Sequence, residues 1–294
     1  MHQVTTDAGM IALDGGRFRM GSEQFYADEG PVHEVTVAPF LLDEHPVTNA
    51  QFARFVHETG YVTTAERELP EQEYPDLSED DRAAGALVFR ATEGPVPLAN
   101  WRAWWQWQPG AQWRAPFGPG STIDGRDEHP VVQVSLDDAV SFARWAGKRL
   151  PTEREWEFAA RDGRDDAVFA WGDEAKPGGR LMANTWQGAF PYLNVGANGW
   201  VGTSPVGQFP RSDRGFVDLI GNVWEWTTTP YTSRHEGGSP CCPPSGETDA
   251  RYVLKGGSHL CAPEYCLRYR PAARSPQSHD TSTTHIGFRC ALDA

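Results

Sequence analysis

Two cysteines, Cys261 and Cys266, stand five positions apart in the stretch KGGSHLCAPEYCLRYRPAARS, residues 255 to 275. On a helix this separation turns the two side chains roughly 140° apart, and on a strand an odd separation sends them to opposite faces. Either the thiols are unrelated, or a turn at residues 262–264 folds them toward each other. In the second case they form a disulfide or serve as two ligands of one metal ion.

The cysteine count favours catalysis or metal binding over a disulfide framework. Cys241, Cys242, Cys261, Cys266 and Cys290 make an odd number in a 294-residue chain, which is too long to need covalent staples. No basic start precedes an apolar run at the N-terminus, and no uncharged apolar stretch reaches about 18 residues. We therefore expect a cytoplasmic protein without a membrane segment.

The charge balance bears on the kind of partner. A net charge of −14 argues against a nucleic-acid surface, because phosphate contacts need clustered lysine and arginine. It suits a basic or arginine-containing partner. The signatures GxGxxG before a helix, GxxxxGK[ST], GxSxG, HExxH and CxxC are absent, which removes the commonest nucleotide, hydrolase, zinc-protease and thiol-redox chemistries.

The elements that must position the cysteines are short. Alternating apolar residues predict strands at 15–22 and 33–37. Capping patterns and the glycines that follow them predict three helices, from Thr48 to Gly60, from Ser135 to Gly147 and from Thr152 to Gly163. From residue 164 onward, glycine-broken segments suggest loops on a small sheet. We expect one loop-rich α+β domain over residues 1–294.

The region between the first two helices has an unusual composition. Residues 66–82 hold eight acidic residues, and residues 101–113 hold five tryptophans. Base rates favour a solvated loop and a buried patch, respectively. The alternative is a groove with an acidic rim.

Seven motifs occur in the order typical of formylglycine-generating enzymes, the sulfatase-modifying factor family. They are GGRFRMGS, PVTNAQFARFV, RLPTEREWEFAAR, NTWQGAFP, IGNVWEWT, LKGGSHLCAPEYCLRYRPAARS and GFRC, and the similarity runs from about residue 12 to 291. This resemblance implies a modified C-type lectin-like fold with little regular secondary structure. It also implies oxidation of a cysteine in a Cys-x-Pro-x-Arg motif of sulfatases to Cα-formylglycine, using O2 and copper(I). The substrate would be an unfolded or extended polypeptide.

The same resemblance assigns residues to the copper site. Cys261 and Cys266 match the two copper ligands, and two soft thiolates select Cu(I), so a turn that apposes them is a sufficient site. The substrate thiolate would join as a third ligand. Ser258 and Tyr265 match residues near oxygen and substrate, and Trp224 is expected to wall the pocket.

Two calcium sites are implied as well. The first would use Asn184, Thr185, Asn198 and Trp200, and the second Asp218, Gly221, Val223 and Glu225. The apolar members can offer only backbone carbonyls, which suits a hard cation that takes six or more oxygens. Asn198 stands where the family has an aspartate, so the first site is less anionic. Plain loop hydrogen bonding by its two asparagines is the alternative.

Substrate recognition is where this chain departs from the family pattern. Acidic positions that hold the substrate arginine align with Pro46 and Pro70, so the role is expected to have moved to Glu44, Glu68 or Glu71. Cys241, Cys242 and Cys290 are expected to be non-catalytic.

The alternative function is a non-catalytic module of the same fold that binds a peptide or small ligand, with the cysteines incidental. A related iron-dependent sulfoxide synthase would need an extra helical domain, for which 294 residues leave no room.

Overall fold

The computed structural model describes residues 9–72, 75–76, 78, 82–235 and 250–294. Four of the eight acidic residues in 66–82 lie outside these ranges, namely Glu73, Glu79, Asp80 and Asp81, and so do Cys241 and Cys242.

Three α-helices lie within the described ranges: α1 (Asn49–Thr59), α2 (Leu136–Trp145) and α3 (Glu153–Arg161). Each begins with a capping box, in which a hydroxyl and a side chain three positions later satisfy two backbone N–H groups. The hydroxyls belong to Thr48, Ser135 and Thr152, so all three predicted helix starts are confirmed. The predicted ends are confirmed to within two residues.

The strands are short and come in chain order as follows: β1 (Met10–Leu13), β2 (Gly16–Met20), β3 (His33–Val37), β4 (Phe40–Asp43), β5 (Gly85–Phe89), β6 (Trp105–Pro109), β7 (Gly188–Ala189), β8 (Leu193–Asn194), β9 (Trp224–Pro230), β10 (Arg251–Lys255), β11 (Arg274–Ser278), β12 (Ile286–Gly287) and β13 (Ala291–Asp293). Single 3-10 turns occur at Ala27–Glu29, Thr64–Glu66, Trp101–Ala103 and Pro177–Gly179. The two strands predicted from sequence are confirmed as β2 and β3.

Small sheets, mostly antiparallel, organise these strands. The four-stranded sheet has the order β11-β10-β9-β12, with β12 parallel to β9, and the three-stranded sheet has the order β1-β4-β13. Hairpins β2-β3, β5-β6 and β7-β8 complete the pairing. Among the described residues, no helix combines the length and the apolar character that crossing a membrane requires.

Two hydrophobic clusters matter for the site. The larger joins α1 and α2 to the sheets through Phe52, Phe142 and Phe288, with Phe52 and Phe142 stacked at 5.9 Å. The smaller contains Trp104, Trp186, Phe190, Leu260 and Ala262, and so lies beneath the segment that carries the two cysteines. Burial of these aromatic surfaces fixes that segment against the β5-β6 hairpin.

The tryptophan-rich segment divides between core and surface. Trp104 and Trp113 are 0% and 1% exposed, as the base rate predicts, whereas Trp101 is 46% exposed. The β5-β6 hairpin, whose connecting segment contains Trp101 and Trp104, is fastened to the segment before β12, because the Phe89 N–H donates to Thr284 Oγ1 at 3.3 Å. Trp101 and Trp104 both line one cleft, whereas Trp113 packs against Phe52 in the larger cluster.

Candidate active site

A tight turn brings Cys261 and Cys266 together. The N–H groups of Tyr265 and Cys266 both donate to the carbonyl of Ala262, at 3.0 and 2.6 Å. The two Sγ atoms lie 3.2 Å apart and both thiols are free. The chain therefore contains the turn that the five-residue spacing requires if the thiols are to meet.

The two thiols differ in acidity. Burial raises the pKa of Cys261 well above its ordinary value. The hydrogen bond from the Cys261 thiol lowers the pKa of Cys266, and the nearby Arg268 and Arg270 guanidinium groups lower it further. Of the two thiols, Cys266 is therefore the one that ionises more readily, and Cys261 is the one that keeps its proton and donates it in a hydrogen bond to Cys266 Sγ.

Ser258 and Tyr265 flank the thiol pair. The buried Ser258 donates its N–H to Cys261 Sγ at 3.4 Å, and its Oγ accepts from the Leu260 N–H at 3.2 Å. Tyr265 stacks on Phe190 with ring centroids 4.5 Å apart and an interplanar angle of 3°. Burial and the neighbouring thiols raise the pKa of Tyr265 to about 12, so its hydroxyl stays protonated and can donate.

The thiol pair opens into a cleft of about 550 Å³. Aromatic rings form much of its lining: Tyr26, Phe89, Trp101, Trp104, Trp105, Phe190, Trp224 and Tyr265. Trp224 is 5% exposed and lies where β9 pairs with Ile286 of β12. Trp101, Trp104 and Trp105 therefore line a groove. Among the described residues that line it there is no carboxylate, so the described acidic residues of 66–82 form no part of its wall.

A group of contacts behind the two cysteines joins their segment to residues 26–28 near the N-terminus, and the sequence did not predict these contacts. Arg268 donates to Asp28 at 3.1 Å and lies over the ring of Tyr26 at 4.0 Å. The Tyr26 hydroxyl accepts the Leu267 N–H at 3.0 Å. The arginine-rich run after Cys266 was the one local signal of these contacts.

The acidic residues expected to bind a substrate arginine lie away from the cleft lining. Glu44 is paired with Arg211. Glu68 and Glu71 are exposed and do not line the cleft. Cys290 is fully buried, its N–H donates to Asp43, and burial raises its pKa well above the ordinary value.

At the first expected calcium site, Asn184 is buried and its Nδ2 donates to the Gly202 carbonyl at 3.0 Å. Its Oδ1 is buried and has no hydrogen-bond partner. Thr185 adjoins it, whereas Asn198 is exposed, with φ of 51°, in a turn closed by Trp200 and Ala197. The unpartnered Asn184 oxygen suits a cation there.

At the second expected calcium site, the two carboxylates differ. Asp218 accepts the Gly207 N–H through Oδ2 at 2.7 Å, and its buried Oδ1 has no partner. Burial raises the pKa of Asp218 to about 6. Glu225 is instead engaged by Trp156 at 2.7 Å and by Arg289 through both oxygens. Gly221 and Val223 lie between them on the approach to β9.

Within the described part of the chain, no three histidine, cysteine, aspartate or glutamate residues form a group that could hold a metal. A cation at the first expected calcium site would therefore depend on amide and carbonyl oxygens, and one at the second would add them to the Asp218 carboxylate; calcium accepts both kinds of oxygen. The cysteine pair would hold a metal with two protein ligands.

Comparison with known proteins decides the family. The model of the sulfatase-modifying factor enzyme 1-like domain matches residues 1–294. The chain belongs to this family. It is 60% identical over 292 residues to the formylglycine-generating enzyme of Mycobacterium tuberculosis, covering 97% of each chain. It is also 40% identical to the inactive C-alpha-formylglycine-generating enzyme 2 of Bos taurus, covering 97% of this chain and 88% of that one.

The solved structure of PvdO from Pseudomonas aeruginosa has a TM-score of 0.65 and 24% identity, covering all of this chain and 97% of PvdO. That likeness confirms the predicted fold of the sulfatase-modifying factor family, with few helices and several small sheets. It concerns the fold alone. Membership of the family by itself does not separate active from inactive chains, so the cysteine geometry has to carry the functional argument.

Proposed function

We propose that this protein converts a cysteine of a sulfatase polypeptide to Cα-formylglycine, within a Cys-x-Pro-x-Arg motif and with O2 and copper(I). The observation that carries the proposal is the free thiol pair, Cys261 and Cys266, with sulfurs 3.2 Å apart at the wall of an aromatic cleft. The 60% identity to a formylglycine-generating enzyme supports the same reaction. At the substrate, removal of two electrons and two protons from the CH2–SH side chain gives a thioaldehyde, and its hydrolysis by water leaves the aldehyde and releases hydrogen sulfide. O2 accepts the two electrons and the two protons.

The residues present fit copper(I). Two closely spaced sulfurs are soft ligands, and no carboxylate lines the described cleft to favour a harder ion. When bound, copper(I) would supply the redox chemistry that O2 requires and a binding point for the substrate thiol. Cys266 is already inclined to ionise, and Cys261 must release its proton on metal binding.

The surrounding side chains would hold the thiols and control access. Ser258 fixes Cys261 through its N–H, so the sulfur keeps one orientation. The protonated Tyr265 hydroxyl would donate a hydrogen bond to an anionic or carbonyl group of the substrate. The stacked Tyr265 and Phe190 rings, with Trp224, would limit the entry of water.

We also propose structural calcium ions. The buried, unpartnered Oδ1 atoms of Asn184 and Asp218 support one ion at each expected site, since a buried polar atom without a partner is costly. Glu225 would contribute only by sharing an oxygen with Arg289. The proposed compartment is the cytoplasm, where the thiol pair would stay reduced.

The test incubates the copper-loaded protein with a Cys-x-Pro-x-Arg peptide in air and reads the product by mass spectrometry. Conversion to the aldehyde, trapped as an oxime with an alkoxyamine, is the expected result. Peptide binding without conversion would favour the alternative, a non-catalytic binding module. A relative that is 40% identical to this chain bears the name of an inactive formylglycine-generating enzyme, which is why the test includes binding without conversion as an outcome.

A further inference from the structure

One side of the cleft carries polar side chains that the copper proposal does not use. Ser275 and Gln277 lie two positions apart on β11, so they share one face of the sheet, and His285 directly precedes β12. All three line the cleft and are partly buried. We call these three residues the polar strip. Within the ranges that the structure describes, none of their side chains forms a hydrogen bond with another residue.

The His285 ring is held in place despite lacking a hydrogen-bond partner. The backbone carbonyl of His285 accepts the Trp224 N–H at 2.8 Å, and this bond holds the residue beside the wall of the thiol site. The imidazole packs edge-to-face against Trp105, with centroids 4.8 Å apart. Nδ1 is buried and has no partner, whereas Nε2 is not among the buried unpartnered atoms. Of the two ring nitrogens, Nδ1 is thus the enclosed one, and because His285 lines the cleft we infer that Nε2 lies on the cleft side.

The protonation of this ring follows from its surroundings. Burial lowers the pKa of His285 to about 3, so the imidazole is neutral and has one N–H and one lone pair. A buried N–H without an acceptor is rarer in proteins than an under-used acceptor. The hydrogen is therefore assigned to Nε2, where it faces the cleft as a donor.

We propose that the polar strip binds the main chain of the substrate polypeptide, with the His285 N–H donating to a substrate carbonyl and the Gln277 amide pairing with a peptide group. The inference rests on the proposed function, because it assigns residues that hold the same substrate. An extended peptide presents uncharged C=O and N–H groups, and an amide and a neutral imidazole complement them without a charge. The aromatic wall is left to contact the peptide side chains.

The position of Pro276 supports side-chain contacts over strand addition. Pro276 lies between Ser275 and Gln277 on β11, the outer strand of its sheet, and proline has no backbone N–H. A peptide that paired with this edge would meet a missing donor at the middle residue. Side chains on the sheet face must therefore supply the polar contacts.

The experiment compares His285→Leu, Gln277→Leu and His285→Asn with the wild-type chain. Affinity for a Cys-x-Pro-x-Arg peptide with serine in place of the reactive cysteine is measured by calorimetry, and KM and kcat are measured with the cysteine peptide. Each leucine variant should weaken binding and raise KM roughly tenfold, the loss expected for one hydrogen bond, with kcat changed less than about twofold. His285→Asn, which keeps a donor, should recover most of the affinity.

The matched control is His279→Leu, because His279 is exposed, contacts Asp137 and does not line the cleft. It should leave binding unchanged. A peptide with an ester in place of the amide whose carbonyl contacts His285 should bind wild type more weakly and lose no further affinity in His285→Leu. Replacing single amides along the peptide locates that bond.

The outcomes separate this inference from the proposed function. Unchanged binding of the serine peptide in both leucine variants would overturn the polar strip even if wild type oxidises the cysteine peptide. Weakened binding in those variants with no oxidation by copper-loaded wild type would keep the strip and remove the oxidase. If wild type binds neither peptide, both proposals fail.

Discussion

Arg289 donates to both carboxylate oxygens of Glu225, each at 2.8 Å, and neither side chain is exposed. The same guanidinium donates to the carbonyls of Asp43, Glu44 and Val217, so it joins β4 and the segment before β9. Glu225 is thus a structural partner of the C-terminal segment. Of the two carboxylates expected to bind calcium, Asp218 is the one with an oxygen, Oδ1, that has no hydrogen-bond partner.

Calcium removal should lower thermal stability. An ion that binds only the folded chain stabilises it by mass action, so a chelator should lower the Tm, and added calcium should restore it. Asp218→Asn keeps an acceptor for the Gly207 N–H but removes a charge, so this variant should need more calcium for the same rise. The measurements are melting curves with and without chelator and the metal content of the isolated protein. An unchanged curve and no bound calcium would contradict the assignment.

The buried ion pairs of Glu157 with Lys255 on β10 and with Arg161 on α3 should control the stability of the fold in acid. Burial opposes ionisation of Glu157, but Lys255 at 2.9 Å and Arg161 at 2.8 Å outweigh it and lower the pKa of Glu157 to about 2. A depressed acid pKa contributes stability above the unfolded value near 4.5, and that stability is lost as the pH falls toward 2. The contribution is about 3 kcal/mol at neutral pH.

Glu157→Gln should therefore destabilise the fold by roughly 3–5 kcal/mol at pH 7, because it leaves Lys255 buried with less compensation. Its stability should also depend less on pH between about 5 and 2 than that of wild type. Glu58→Gln is the control, since it removes an exposed pair with Arg54 and should hardly change the Tm. Urea titrations at several pH values measure both. Equal pH dependence in wild type and Glu157→Gln would refute the account.

Local chemistry explains which parts of the fold were predictable from sequence. Thr48 with Gln51, and Thr152 with Glu155, are capping boxes readable within four residues, and each formed a helix start. The thiol pair needed one turn within six residues. By contrast, Arg268 meets Asp28 across 240 positions, and no local pattern encodes such a contact.

The tryptophan-rich segment shows the same limit. Composition alone could not tell which tryptophan is buried. Trp104 is fully buried and Trp101 is 46% exposed, because tertiary packing decides which ring contacts Phe190. His285 was likewise missed, since a single histidine after a threonine run has no spacing signal. Its role depends on the pairing of β12 with β9, which brings it beside Trp224.

The substrate arginine should contribute mainly to binding. Changing the peptide arginine to alanine should raise KM more than it lowers kcat, because a contact away from the reacting atoms stabilises ground and transition states alike. Glu68→Gln and Glu71→Gln test the exposed acids that follow α1, and Glu34→Gln, paired with Arg17, is the control. Steady-state kinetics with both peptides decide the matter. Equal turnover of the two peptides at low concentration would mean that the acidic stretch is a solvated loop.

The copper proposal depends on Cys261 and Cys266 acting together. Two thiolates hold copper(I) between them, whereas one leaves an ion that competing thiols can extract, so losing either should abolish nearly all activity. Serine at Cys241, Cys242 or Cys290 should keep turnover, apart from a stability loss at the buried Cys290. The reduced protein and the five single serine variants are titrated with copper(I) against a chelator, with peptide oxidation assayed in parallel.

Tight one-to-one binding and activity should disappear together in Cys261→Ser and Cys266→Ser and in no other single variant. The Tm of these two variants guards against misfolding, because each substitution replaces a sulfur by a smaller oxygen beside Ser258 or at the cleft wall. A variant that melts like wild type yet binds no copper isolates the ligand role. Full activity in either variant, or undiminished activity after exhaustive copper removal, would rule out the mechanism and favour the non-catalytic binding module.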